Sequence, residues 1–242
     1  MEYLILALAP VFAIAFYIYF RDKYEKEPVM KLITAFMAGV LIALPVSVFE
    51  TLFASFTGQS DGYFKAFWDA FMVASLNEEA FKLGALALLI WKSKDFNEKF
   101  DGIVYASFIS LGFAAIENVM YVFQHGFSTG IARAITAVPA HAFFGITMGF
   151  FFGLAKFYPK KRKKYLWMSF LIPFALHGIY DFILMVGHIY LLALFIPFVI
   201  YLWISGFKRM KQMNNASIFR NDFDLGIDFS KVKDYRPNDE NS

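Results

Sequence analysis

Residues 64–91 read FKAFWDAFMVASLNEEAFKLGALALLIW. As a helix rising about 1.5 Å per residue, the run is long enough to cross a bilayer core of about 30 Å. Its flanks are apolar, yet its middle carries Asn77, Glu78, Glu79 and Lys82. The composition of the chain favours a membrane setting for it. Of 242 residues, 59% are apolar, 20% aromatic and only 18% charged, whereas a soluble domain is about 45–50% apolar and about 25% charged. So few charges would not cover a soluble domain of this size. Soluble enzymes, disordered proteins and nucleic-acid-binding modules are excluded on that ground. The lack of cysteine removes disulfides, Cys–zinc centres and thiol nucleophiles.

Six further stretches approach the spanning length, near 3–20, 32–56, 102–123, 131–155, 165–186 and 189–206. The expected fold is an all-α polytopic transmembrane bundle of about seven spans. The first stretch is not a cleaved signal, because basic residues follow its apolar run rather than precede it. Lys and Arg fall in alternate loops: Arg21 to Lys31, Lys92 to Lys99, Lys156 to Lys164, and Lys208 to Lys211. The opposite loops hold little beyond Lys65 and Arg133. Basic loops stay cytoplasmic, which predicts N-out/C-in insertion in the cytoplasmic membrane. The Lys160–Lys164 run is read as a topology anchor facing anionic headgroups. Residues 1–206 form the transmembrane domain on this reading, and 207–242 a mobile cytoplasmic tail.

Ionisable groups inside spans are costly, and they face a cavity or a partner. The fourth span holds Glu117 and Asn118, the fifth His141, and the sixth His177 and Asp181. Counted from each span's start, these and the Glu78–Glu79 pair fall between the middle and the outer half of one slab. Residues four apart share a helix face. Ala137, His141, Gly145, Gly149 and Gly153 form one row, in which small residues admit a close neighbour and turn His141 away from lipid. Pro173, His177 and Asp181 form another. Lys82 stands i+4 from Glu78 and i+3 from Glu79, so either contact would neutralise a charge in place. Glu50, in the second span, is read as an interhelical hydrogen-bonding group, and the phenylalanine excess as lipid-facing filler.

Two adjacent acids beside one lysine occupy unequal environments. One stays an ion with the lysine, while the other is free to act as a general base toward water. Imidazoles at the same depth can donate to an oxyanion or pass a proton to a leaving amine. Asp181, one turn from His177, can fix its tautomer. The residues point to peptide-bond hydrolysis by a Glu-activated water, without metal or other cofactor. A proton- or cation-coupled transporter also buries Glu, Asp and His, although no inverted repeat is evident. A zinc enzyme built on His141, His177 and a carboxylate is a third possibility.

Four motifs occur in order: NEEAFK at Asn77–Lys82, FAAIEN at Phe113–Asn118, HAFFG at His141–Gly145 and HGIYD at His177–Asp181. They are accompanied by YFRDKYEKEP at Tyr19–Pro28. In these the chain resembles the PrsW-type membrane proteases, of the wider glutamic group that includes the type II CAAX prenyl proteases. The resemblance implies that Glu78 activates water, Glu79 pairs with Lys82, and His177 assists. It also implies that His141 and Asp181 shape the oxyanion and proton-transfer side, with Lys82 and Asn118 in support. The implied substrate is a single-span membrane protein resembling an anti-sigma factor, cut near the outer face. Two departures from the prenyl proteases stand out: EExxK replaces EExxxR, and Glu117 stands where they carry histidine. A second carboxylate does not donate as imidazole does, so the role of Glu117 stays open.

Overall fold

In a computed structural model, which describes residues 1–58 and 61–220, the chain is all-helical. The helices are α1 (Glu2–Arg21), α2 (Val29–Ser55), α3 (Gly62–Phe67), α4 (Leu76–Ile90), α5 (Lys99–His125), α6 (Phe127–Ile135), α7 (Ala137–Phe157), α8 (Arg162–Val186) and α9 (Ile189–Asn215). A π-helical segment, Trp68–Ser75, joins α3 to α4 without a break. Six helical stretches are long and apolar enough to cross a membrane. The continuous rod 62–90 is the seventh, and it is the one that carries the buried charges.

The rods alternate in direction. Their basic ends gather on one side, where the Lys156 ammonium donates to Trp91 O at 2.5 Å and Asn214 Nδ2 to Arg21 O at 2.9 Å. Helix α5 starts at a capping box of Glu98 and Asp101 and stops at Gly126, whose φ of 83° suits glycine. Pro139, in the first turn of α7, has no N–H to give to Ile135. The fifth span therefore breaks at Thr136 into the short α6 and the long α7.

Helices α5 and α7 form the core, and the glycine row read from sequence is their seam. A Cβ on Gly149 would lie 2.1 Å from Gly102 O, and one on Gly153 would lie 2.4 Å from Lys99 O. A second close approach, Gly39 on Ile109 O and Gly112 on Phe36 O, seats α2 against α5. Phenylalanine does not serve only as lipid-facing filler. Phe16, Phe20 and Phe56 are exposed, but Phe143, Phe144 and Phe150–Phe152 are buried, because α7 is enclosed on all sides and needs large apolar side chains around its glycines. Helix α9 runs past the boundary expected at 206 to Asn215, with Met210 and Met213 buried. The rest of the expected tail, 221–242, lies outside the described residues.

At the basic end, the link between α1 and α2 is tied to α5. Tyr105 donates its hydroxyl to Glu27, and Asp22 is 1% exposed with neither carboxylate oxygen hydrogen-bonded. Burial, reinforced by Glu98 nearby, pushes the Asp22 carboxyl up from 3.8 to about 7.

Two predictions concern stability. Gly149→Ala forces α5 and α7 apart and costs about 1–3 kcal/mol, whereas Gly84→Ala, with nothing within 4 Å of the new Cβ, is neutral. Thermal unfolding in detergent separates them, and equal melting points would contradict the seam. For Asp22, the folded-state value lies above the unfolded one. Its stabilising contribution is therefore complete below 3.8 and lost as pH rises through about 7. Asp22→Asn should raise the melting temperature above neutrality and lose that advantage in acid. An unchanged difference across pH would exclude a titrating Asp22.

Candidate active site

Glu78 and Glu79 are consecutive, so about 100° of helix rotation separates them. Both are nevertheless buried, at 5% and 0% exposure. Both can face protein because the π segment brings α4 into the bundle at this level. Trp68 Nε1 donates to Phe53 O of α2 at 2.9 Å, Ser75 Oγ donates to Phe174 O of α8 at 2.6 Å, and the Phe71 ring sits where a Cβ on Gly178 would be. The widened turn is itself satisfied by Asn77, whose Nδ2 donates to Met72 O and Val73 O at 3.0 and 2.7 Å.

Lys82 makes both contacts that its spacing allowed, reaching Glu78 Oε2 and Glu79 Oε1 at 2.9 Å each. Its ammonium also lies 3.3 Å from His141 Nδ1 and 4.5 Å from the centre of the Phe113 ring. His177 bridges two acids, with Nδ1 2.9 Å from Glu79 Oε1 and Nε2 3.2 Å from Asp181 Oδ2. The same Nε2 is 3.9 Å from Glu78 Oε1. Its ring stacks on Phe144 and meets the His141 ring edge-on at 5.3 Å. His141 Nε2 lies 2.7 Å from Glu117 Oε2, and its carbonyl accepts from Ser110 Oγ. Asn118 faces the other way, donating to Ala7 O of α1 at 2.7 Å.

All eight candidate residues thus belong to one connected polar cluster. The two acids of α4 do not share an exposure. Glu78 lines a cavity of about 800 Å³, together with Glu117 and Asp181, that extends to Gln124 and His125 at the end of the bundle away from the basic residues. Glu79 sits behind it, closed off by Lys82 and His177. Two cavity residues were not singled out from sequence as site members. Glu50 lines the wall and is not merely an interhelical contact. Its signal was available, since it shares a face with Gly39 and Val46, eleven and four residues earlier. Arg133, on α6, pairs with Glu117 at 3.1 Å and donates from Nε to Asn118 Oδ1 at 2.9 Å. Its signal was a basic residue on the side otherwise nearly free of them; the other such residue, Lys65, is neutralised by Asp69.

Among the described residues, one group offers ligand atoms at metal spacing: Glu78, Glu79 and His177, all within 4.8 Å of one another. The ammonium of Lys82 already lies between its two carboxylates, and both nitrogens of His177 face acids. The zinc set considered from sequence does not gather, because His141 turns Nε2 to Glu117 and Nδ1 to Lys82. These residues do not fit a resident divalent ion.

Lys82→Met should strip two buried carboxylates of their shared cation, at a cost of about 3–5 kcal/mol. Adding Glu79→Gln should recover part of it. A double-mutant cycle read by thermal unfolding checks this, and strictly additive effects would contradict the coupling.

Comparison with known proteins gives one consistent answer. A family model described as PrsW family intramembrane metalloprotease matches residues 27–204. A Protease PrsW of Geobacillus kaustophilus is 39% identical over 208 residues, covering 85% of this chain and 89% of the relative. One from Oceanobacillus iheyensis is 39% identical over 211 residues, 87% and 95% of the two chains. One from Clostridioides difficile is 37% identical over 223 residues, 90% and 93%. No solved structure matches.

Proposed function

This chain belongs to the PrsW protease family, and on that premise we propose that it is a metal-independent glutamic endopeptidase of the cytoplasmic membrane, cutting a single-span membrane protein with water activated by Glu78. It is a multi-pass membrane protease by family and by its apolar helices. The finer reading rests on one observation: of two adjacent acids, Glu78 meets the cavity and Glu79 does not.

In the proposed reaction, water in the cavity gives a proton to Glu78 while its oxygen attacks the scissile carbonyl carbon. Glu79 and Lys82 hold Glu78 in place and keep the net charge of the pair low. His177, set between Glu79 and Asp181, is the proton donor nearest Glu78. It serves the oxyanion first and the departing amine as the C–N bond breaks. The description of the family names a metal. Lys82 supplies at this site the positive charge that an ion would bring, and no step is assigned to a metal.

Glu78 sits in the half of the bundle away from the basic ends. With N-out/C-in insertion the cut falls toward the outer face, and the substrate is an anti-sigma-factor-like protein. The Lys160–Lys164 run is assigned to anionic headgroups.

The test is cleavage of a purified single-span anti-sigma-type protein in detergent. Activity should survive exhaustive chelation, and Glu78→Gln should lower kcat by at least about 10²-fold without moving the melting temperature. Activity lost to chelation and restored only by zinc would replace the scheme with a metalloenzyme. Near-normal turnover by Glu78→Gln would remove its base.

A further inference from the structure

A continuous polar chain runs from α1 into the site. Ala7 O accepts from Asn118 Nδ2, Asn118 Oδ1 accepts from Arg133 Nε, and the Arg133 guanidinium pairs with Glu117 Oε1. Glu117 Oε2 then meets His141 Nε2 at 2.7 Å, and His141 Nδ1 faces Lys82 at 3.3 Å and Glu78 Oε2 at 4.0 Å. The guanidinium is further fixed by the Tyr121 ring, 4.0 Å below it.

We infer that Arg133 is a positioning residue for the reaction: by holding Glu117 as an anion, it sets His141 with its proton on Nε2 and its lone pair on Nδ1, facing Lys82 and Glu78. This inference rests on the reading of Glu78 as the group that activates water.

The logic is one of donors and acceptors. An ionised carboxylate only accepts, so the ring nitrogen against Glu117 must donate. In the neutral imidazole the other nitrogen is then an acceptor. It completes the set around Lys82, whose three N–H bonds meet three acceptors: Glu78, Glu79 and His141. Glu117 shares its cavity with Glu50, Glu78 and Asp181. Without Arg133 it would be one acid among several and would take up a proton. A protonated Glu117 donates to Nε2 and moves the imidazole proton to Nδ1. Two donors, Nδ1–H and the ammonium, would then confront each other at 3.3 Å. Lys82 would have to withdraw, and Glu78 with it. Arg133 therefore reaches Glu78 through three intermediaries and touches no reacting atom. The Glu117 position that departs from the prenyl proteases becomes an acceptor that orients a histidine.

The experiment uses full-length protein carrying ¹⁵N-histidine in detergent, with His141→Gln to assign the signal, alongside cleavage of the single-span substrate. The wild-type chain should show the Nε2–H tautomer at His141. Arg133→Met should reverse or mix it and lower kcat roughly 10–100-fold, the usual cost of losing an orienting partner, with KM unchanged. Added guanidinium should restore part of the rate. If Arg133→Met does not fold, Glu117→Gln carries the same test, because its amide N–H donates to Nε2. An unchanged tautomer with unchanged kcat would overturn the inference and leave Glu78 untouched. A raised KM at constant kcat would make Arg133 a substrate contact instead. If the wild-type chain does not cleave, the protease mechanism fails, and the tautomer measurement still decides the role of Arg133.

Discussion

One ammonium group holds the site together. Two consecutive glutamates in the middle of an apolar bundle would each demand a proton or a partner. Lys82 answers both at 2.9 Å and has one N–H left, which it turns to a histidine of another helix. Phe113 places its ring beneath the same charge. Through Glu79 the network reaches His177 on α8. A single cation thus ties α4, α5, α7 and α8 at one level, and the polar geometry on the cavity side follows from where it sits.

The surroundings of that charge are uneven. On one side, α5 and α7 meet backbone to backbone along their glycines, leaving no slack in the frame that carries Glu117 and His141. On the other side, α2 is seated on α5 by Gly39 and Gly112 but leaves most of its length exposed, and the outward face of α4 bears Leu88 and Leu89 in the open. The cavity lies between the rigid seam and this looser flank. The acid that lines it is therefore accessible while its neighbour, one residue on, is shut away.

Much of this was legible in the sequence because helical spacing is a strong constraint. Glu78, Glu79 and Lys82 could be placed together from i+3 and i+4 offsets alone, and the row of His141 with its glycines faced protein as its spacing required. Depth, counted along each span, brought His177 and Asp181 to the same level. What stayed hidden depended on rotation or on breaks. Glu50 became a cavity residue only once the contact at Gly39 fixed how α2 is turned. Arg133 disappeared into the hydropathy of the fifth span because Pro139 splits that span in a way an averaged window does not register. The end of α9 was misjudged at 206 because its last turns mix basic residues with buried methionines, and only packing tells the two faces apart.

The π-helical stretch at Trp68–Ser75 has a bearing on how this chain tolerates change in length. It accommodates one more residue per turn than an α-helix would, and it is pinned on both flanks by Trp68 and Ser75. Excising any one residue there would let the thread relax to ordinary pitch and index everything downstream by about 100°. The acidic pair would swing out of register with its histidines although no residue of the cluster had been altered. For this rod, the number of residues upstream is as much a determinant of the chemistry as the identity of those that perform it.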